Sequence, residues 1–435
     1  MKKKHEKTAK QFPFWLIDGC VLGLAVFLPV SIAGANVFWG AGFALWLGMV
    51  LWNRRSKNIQ WTGLEIPWLL MVAVEIVTSL ASDNPARSLR ILRTEVLVGV
   101  FILSSQTGDR KDVLRRLGTF CFMAGVAGVY GVAQWQGWLE GLSSWAPSWL
   151  VVDEVERATG FYRNPITYAE ILLMAGTVAL GLWRTHGGRF WFGVFIASFV
   201  GVGVSQTRGV WLSLLFSLSL WAWVKKDRRV LSFLGILVLA GVLMVGFSPS
   251  IKKRVVSLTD TQTNQSNRTR MGLWLKSIES IRDHPWLGIG AKNFAVTTEE
   301  LRWGANEPGK VWKESHNMYL QMAVERGLPG LAVFLWFLWV VGRRLWRVSR
   351  SDPASLGVFF GFMGLLVAGL TETWTNDSEV VMVFLFLVGS VCRLEISKNL
   401  EISPTPVRKR SGFHTIGAPR SFLGGLGRSA NRPPL

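Results

Sequence analysis

The chain has 435 residues; half are apolar, only 17% are charged, and the formal net charge is +20. Tryptophan (23) and phenylalanine (26) far outnumber tyrosine (4), a balance suited to the bilayer interface. A soluble basic domain is excluded, because it would have to bury about twelve long apolar runs in one core, and the charge is no argument for nucleic acid.

A spanning helix needs ~20 mostly apolar residues. Such runs occur near 14–32, 35–52, 62–81, 91–106, 118–136, 166–183, 190–206, 209–224, 230–247, 328–343, 355–372 and 379–393. The fold expected is an all-α polytopic membrane protein of about twelve transmembrane helices. A long, helical extracytoplasmic loop (248–327) precedes the tenth. The start, M-K-K-K-H-E-K-T-A-K, resembles a signal n-region but reads as a retained first helix. Cys20, Cys121 and Cys392 all fall in predicted spans, so no disulfide framework is expected.

Basic residues then orient the chain. Arg54, Arg55 and Lys57; Arg110, Lys111, Arg115 and Arg116; Arg184 and Arg189; Lys225 to Arg229; and Arg343 to Arg350 occupy alternate loops. That pattern puts the N- and C-termini in the cytoplasm. Residues 1–393 form one transmembrane domain, and 394–435 read as a disordered basic cytoplasmic tail with affinity for anionic lipid. Three features then face outward: the loop 137–165, the junction S-Q-T-R-G-V-W (Ser205 to Trp211) and the loop 248–327.

Of five histidines, only His284 and His316 face outward in this topology. Imidazole titrates near neutrality and suits a general base. His284 sits in a turn-like H-P-W-L-G-I-G; His316 directly precedes a helical run. Arg208 lies at the mouth of a span, where a guanidinium needs a partner or a water-filled cavity. Arg268 and Arg270 open an amphipathic helix over 268–282, where a bound anion would gain both the arginines and the free N–H groups. Tyr162, Arg163 and Asn164, with Tyr168, either touch a substrate or cap a helix. Glu75, Arg90, Arg93 and Glu95 read as ion pairs between helices, or alternatively as a path for a small anion. The patch Asp153, Glu154 and Glu156 is a weak metal signal. Neither a nucleotide-binding P-loop nor H-E-x-x-H occurs. An outward site without nucleotide must draw its driving force from the substrate, as a lipid-linked diphosphate sugar would provide.

These residues resemble the O-antigen ligase and polymerase superfamily of bacterial membrane proteins. R-A-T-G-F-Y-R-N-P (Arg157 to Pro165), S-Q-T-R-G-V-W, R-M-G-L-W…H-P-W-L-G-I-G and His316-Asn317 followed by Gly327-x-x-Gly330 look like its motifs, in order. The resemblance is greatest over 155–345 and is most like an O-antigen ligase. It implies a glycosyltransferase at the periplasmic side of the bacterial inner membrane. A glycan would pass from undecaprenyl diphosphate to a hydroxyl acceptor, lipid A–core in the ligases, without ATP, metal or other cofactor. His316 would be the base, and Arg208 and Arg270 would bind the diphosphate, with Arg268 as an alternative register. Arg157, Tyr162, Arg163 and Asn317 are further substrate-binding candidates. The superfamily also holds polymerases, protein O-oligosaccharyltransferases and a branch described in terms of bicarbonate transport. Glycine is absent eleven positions after Arg157, Arg268 and Arg270, which disfavours the polymerases' paired R-x10-G loops.

Overall fold

Antiparallel apolar helices, with polar segments gathered at their two ends, make up a computed structural model that describes residues 2–53, 59–142, 156–247, 249–257, 264–301 and 309–402. In chain order the helices are α1 (Lys2–Phe27), α2 (Ile32–Asn53), α3 (Glu65–Leu80), α4 (Pro85–Ser88), α5 (Leu92–Glu95), α6 (Val98–Gln106), α7 (Arg110–Trp135) and α8 (Pro165–His186). They continue with α9 (Arg189–Val204), α10 (Arg208–Lys225), α11 (Arg228–Phe247), α12 (Pro249–Val256), α13 (Gln265–Asp283), α14 (Met318–Ser349), α15 (Pro353–Ala368) and α16 (Ser378–Ile402). The only sheet among the described residues pairs β1 (Val296–Thr297) with β2 (Val311–Trp312), antiparallel.

Among the described residues six helices are long and apolar enough to cross a membrane by length and composition, and shorter apolar helices cover Trp15–Phe27, Arg189–Val204 and Pro353–Ala368. Eleven of the twelve expected runs each coincide with one helix. The run 91–106 does not: it breaks into a 3-10 turn over Leu89–Ile91, α5 and α6. At 1.5 Å per residue the nine-residue α6 extends about 14 Å, half of a bilayer core or less. Arg90, Arg93 and Glu95 interrupt the apolar pattern where the helix breaks. The last helix runs on to Ile402, past Leu394 where the tail is expected to begin, and Arg344 holds Glu395 at 2.7 Å. The rest of that tail, Arg54 to Lys57, and Asp153 and Glu154 lie outside the described residues.

The bundle is centred on α8, which packs against α7, α9 and α15. Close approach needs small residues. A Cβ on Gly357 would stand 2.4 Å from the Thr177 carbonyl oxygen, and one on Gly181 would stand 2.5 Å from that of Pro353. By contrast α2 and α11 bury little of their surface and form the rim. One end of the bundle collects the basic loops. There Arg110 meets Asp352 (2.6 Å), Arg184 meets Asp227 (3.1 Å), and Arg393 donates to the Gly108 carbonyl (2.6 Å).

The opposite end is organised by a break in α14. Gly327 has φ +68°, and the helix restarts with Pro329, whose missing N–H costs nothing in a first turn. The break frees carbonyls, and the segment after α13 takes them: Ile289 N–H donates to Val324 O (2.9 Å) and Gly290 N–H to Glu325 O (3.0 Å). In return Leu328 N–H donates to Pro285 O (2.8 Å). Arg326 is buried here and pairs with Glu75 of α3 and with Glu325 (2.8 Å). The ion pairing expected among Glu75, Arg90, Arg93 and Glu95 is therefore replaced. Arg90 and Arg93 are exposed, and Glu95 accepts from Trp68 Nε1 (3.0 Å).

A Cβ on Gly327 would lie 2.3 Å from the Trp286 carbonyl oxygen, in a backbone region L residues avoid. Gly327→Ala should therefore cost about 2 kcal/mol or more, read as a lower apparent Tm of the purified protein. Gly193→Ala, with nothing within 4 Å, should be neutral. Equal Tm values for the two variants would contradict this account of the break.

Candidate active site

The residues before α14 are pinned on all sides. Asn317 caps the helix, its Oδ1 accepting from Tyr319 and Leu320 N–H at 3.0 Å each, while its Nδ2 donates to Leu370 O (3.0 Å). Met318 N–H donates to Gly369 O (2.8 Å), Ser315 N–H to Gln321 Oε1 (2.8 Å) and Ser315 Oγ to Asn317 O (2.8 Å). Between these anchors His316 adopts φ +52°. A non-glycine residue pays of order 1 kcal/mol for that conformation, and the surrounding bonds hold it there. His316 Nδ1 lies 3.4 Å from Glu372 Oε2. With the hydrogen on Nδ1, the other ring nitrogen, Nε2, is a proton acceptor.

Glu372 also binds Arg270 through its other oxygen, Oε1. Its side chain is 6% exposed, against 21% for Arg270 and 27% for His316. One shielded carboxylate thus fixes both a guanidinium of α13 and the imidazole before α14. Gly209 permits the approach of α10, since a Cβ there would stand 2.2 Å from Thr371 Oγ1.

A small cleft of about 50 Å³ opens beside this pair, lined by Arg157, Arg208, Arg270, Thr207, Ser266 and Glu372 among others. Arg208 is the first residue of α10; it donates to Ser257 O (2.7 Å), Ser257 Oγ (2.8 Å) and Asn267 Oδ1 (2.9 Å). Those acceptors are all neutral. Arg157 donates to Ser205 O (3.1 Å) and Thr207 Oγ1 (3.0 Å), which fixes the turn before α10, where Gln206 has φ +51°. The N-termini of α10 and α13 both border the cleft, and among its described lining residues their first-turn N–H groups join three guanidiniums and one carboxylate. Such a site favours an anion with several oxygens.

Four of the sequence candidates therefore gather here: His316, Arg208, Arg270 and Arg157. The amphipathic helix begins three residues earlier than expected, at Gln265 with Asn264 as its cap. Arg268 and Arg270 consequently lie beyond the first free N–H groups, and Ser266 occupies that position. Arg270 shares a face with Ser266 at i+4, whereas Arg268 is on another face and does not line the cleft. Asn317 caps α14. Tyr162 hydrogen-bonds the Leu28 carbonyl, and Arg163 is an exposed turn residue with φ +58° preceding Asn164, the cap of α8. His284 ends α13, its N–H on Ser280 O (2.9 Å).

Sequence reasoning misses Glu372, Ser257 and Asn267. Glu372 had a usable signal: it closes the apolar run 355–372, and an ionisable residue at a span's mouth is a functional candidate by default. Ser257 and Asn267 carry none, because only the fold brings them to Arg208.

Residues 192–335 match the family model described as O-antigen ligase. That stretch carries Arg208, Arg270, His316, Gly327 and Gly330, and over it the chain is similar to the O-antigen ligase and polymerase superfamily. The match and the apolar helices together mark a multi-pass membrane protein with glycosyltransferase-like function of the ligase or polymerase type. No curated protein matches the chain.

If Glu372 is the shared anchor, Glu372→Gln and Arg270→Gln should each destabilise the protein by about 1–3 kcal/mol. Their double variant should lose clearly less than the sum. Thermal unfolding of the four proteins checks this; additive losses would contradict a direct pair.

Proposed function

We propose that the protein is a ligase-type glycosyltransferase, moving a glycan from undecaprenyl diphosphate to a hydroxyl acceptor at the periplasmic face of a bacterial inner membrane. The observation that carries the reading is the convergence of Arg208, Arg270 and His316 around Glu372, beside a cleft suited to a polyanion. The acceptor hydroxyl attacks the anomeric carbon, and its proton passes to His316 Nε2. The bond from that carbon to the diphosphate oxygen breaks, and the electron pair leaves on the diphosphate. Arg208 and Arg270 bind the diphosphate and stabilise the charge that grows on it; their fixed charge and paired donors suit phosphate oxygens. Glu372 sets the imidazole tautomer and favours the imidazolium as it forms. Attack opposite the leaving group inverts the anomeric centre. Lipid A–core is the acceptor this reading favours. Polymerases and protein O-oligosaccharyltransferases of the superfamily differ in the acceptor and not in these steps. Orientation follows the basic loops, all of whose described members lie at the end away from the site.

His316→Gln should lower transfer about 10²-fold or more in membranes, the usual contribution of a positioned base, with insertion and abundance unchanged. Arg208→Ala should do the same through the leaving group. Normal product from both would contradict the proposal. In a deletion strain, lipopolysaccharide should lose its long ladder and keep lipid A–core; a core bearing one repeat would instead indicate a polymerase.

A further inference from the structure

Helix α11 stands at the rim of the bundle. Its main packing partner there is α10, and a groove of about 580 Å³ lies between it and α8 and α9. The groove begins at the end where the basic loops collect. Arg189, which starts α9, and Arg229, near the start of α11, line that end beside Trp183 of α8. Deeper in, the walls are Leu180, Phe192, Phe195 and Ile236. Phe233 of α11 bridges across to α9, its ring centroid 4.5 Å from that of Phe195 and 6.3 Å from that of Phe192.

The charge at this end is unbalanced. No carboxylate lines the groove among the described residues. Asp227, two positions before Arg229, is already engaged: it pairs with Arg184 at 3.1 Å and accepts from Arg229 N–H at 3.1 Å. The guanidiniums of Arg189 and Arg229 have no ion-pair or hydrogen-bond partner among the described residues. Gly188 also lines the groove and caps α9 without a side-chain bond, so first-turn N–H groups add to the same end. Guanidiniums are strong donors to phosphate oxygens. The apolar walls beneath them call for hydrocarbon attached to that phosphate. A zwitterionic head would bring its own ammonium among Arg184, Arg189 and Arg229. The chain's tail, with Arg408, Lys409 and Arg410, is repelled by the same charge.

From this we infer that the groove holds one anionic phospholipid of the leaflet that borders the basic end. Its phosphate sits between Arg189 and Arg229, and an acyl chain runs along Phe192, Phe233 and Ile236. From Arg229 to Ile236 the helix rises about 10 Å, roughly two-thirds of the hydrocarbon depth of one leaflet. The lipid thereby supplies packing to α11, which buries little of its own surface. This binding site depends on the chain being a multi-pass membrane protein and is independent of the transfer reaction.

The test is native mass spectrometry of the full chain in neutral detergent, titrated with phosphatidylglycerol or phosphatidylethanolamine. Wild type should bind one phosphatidylglycerol about tenfold more tightly than phosphatidylethanolamine. Arg189→Gln with Arg229→Gln should abolish that preference. Lys111→Gln with Arg343→Gln removes as much charge from the same end but outside the groove, and should bind as wild type does. Ile236→Trp should fill the apolar part and weaken phosphatidylglycerol several-fold with both arginines in place. Phosphatidylglycerol should also raise the apparent Tm of wild type and of the Lys111–Arg343 pair, and leave that of the Arg189–Arg229 pair unchanged. Glycerol 3-phosphate, the same phosphate without chains, should shift none of them. Stabilisation by glycerol 3-phosphate would mark a site for a free anion. Equal binding of the two lipids by wild type, or equal losses in the two double variants, would mark diffuse charge without a site. Any of these results would overturn the inference.

Discussion

The site depends on one carboxylate that holds two groups at once. Glu372 binds Arg270 with one oxygen and faces His316 Nδ1 with the other. Helix α13 also packs on α14, with Leu273 and Val324 in one buried apolar cluster, and the carboxylate bridge sets the spacing between base and guanidinium. At 6% exposure the carboxylate is screened little by solvent, which strengthens both interactions. A strained His316 backbone is tolerated because Asn317, Ser315 and Met318 are each tied down beside it.

The second constraint is the break at Gly327. Without it α14 would continue as one rod, and the 285–290 segment would find no free carbonyls to bind. Glycine is required at Gly327 and Gly288 because backbone passes within about 2.5 Å of where a Cβ would be. The same joint buries Arg326 with Glu75, tying α3 to α14. A mechanical role and a chemical one thus lie on a single helix, nine to eleven residues apart, with His316 and Glu325 to Gly327 at the two ends of its first segment.

Much of this was legible in the chain. Hydrophobic period and length mark eleven apolar runs that are each one helix, because bilayer thickness imposes a long uninterrupted pattern. The 91–106 run misleads because composition alone does not register the charged residues that break it. Helix starts at Pro165, Arg208 and Met318 follow from Asn164, the S-Q-T-R-G turn and Asn317. Of the site, Arg208, Arg270 and His316 were legible through motif order. Glu372 was not, since its partners come from segments 56 and 102 residues away. The true start of α13 puts Arg270, and not Arg268, on the helical face that lines the cleft. Glu75 finds its partner in Arg326, a residue 251 positions on, and nothing local in the sequence points there.

The most direct measurement is a cryo-electron microscopy structure of the full chain bound to undecaprenyl diphosphate. The account predicts phosphate oxygens within about 3 Å of the Arg208 and Arg270 guanidiniums. It also predicts His316 Nδ1 still on Glu372, with Nε2 facing the acceptor side, opposite the departing diphosphate oxygen. A diphosphate bound away from both arginines, or a Glu372 turned from both Arg270 and His316, would contradict it.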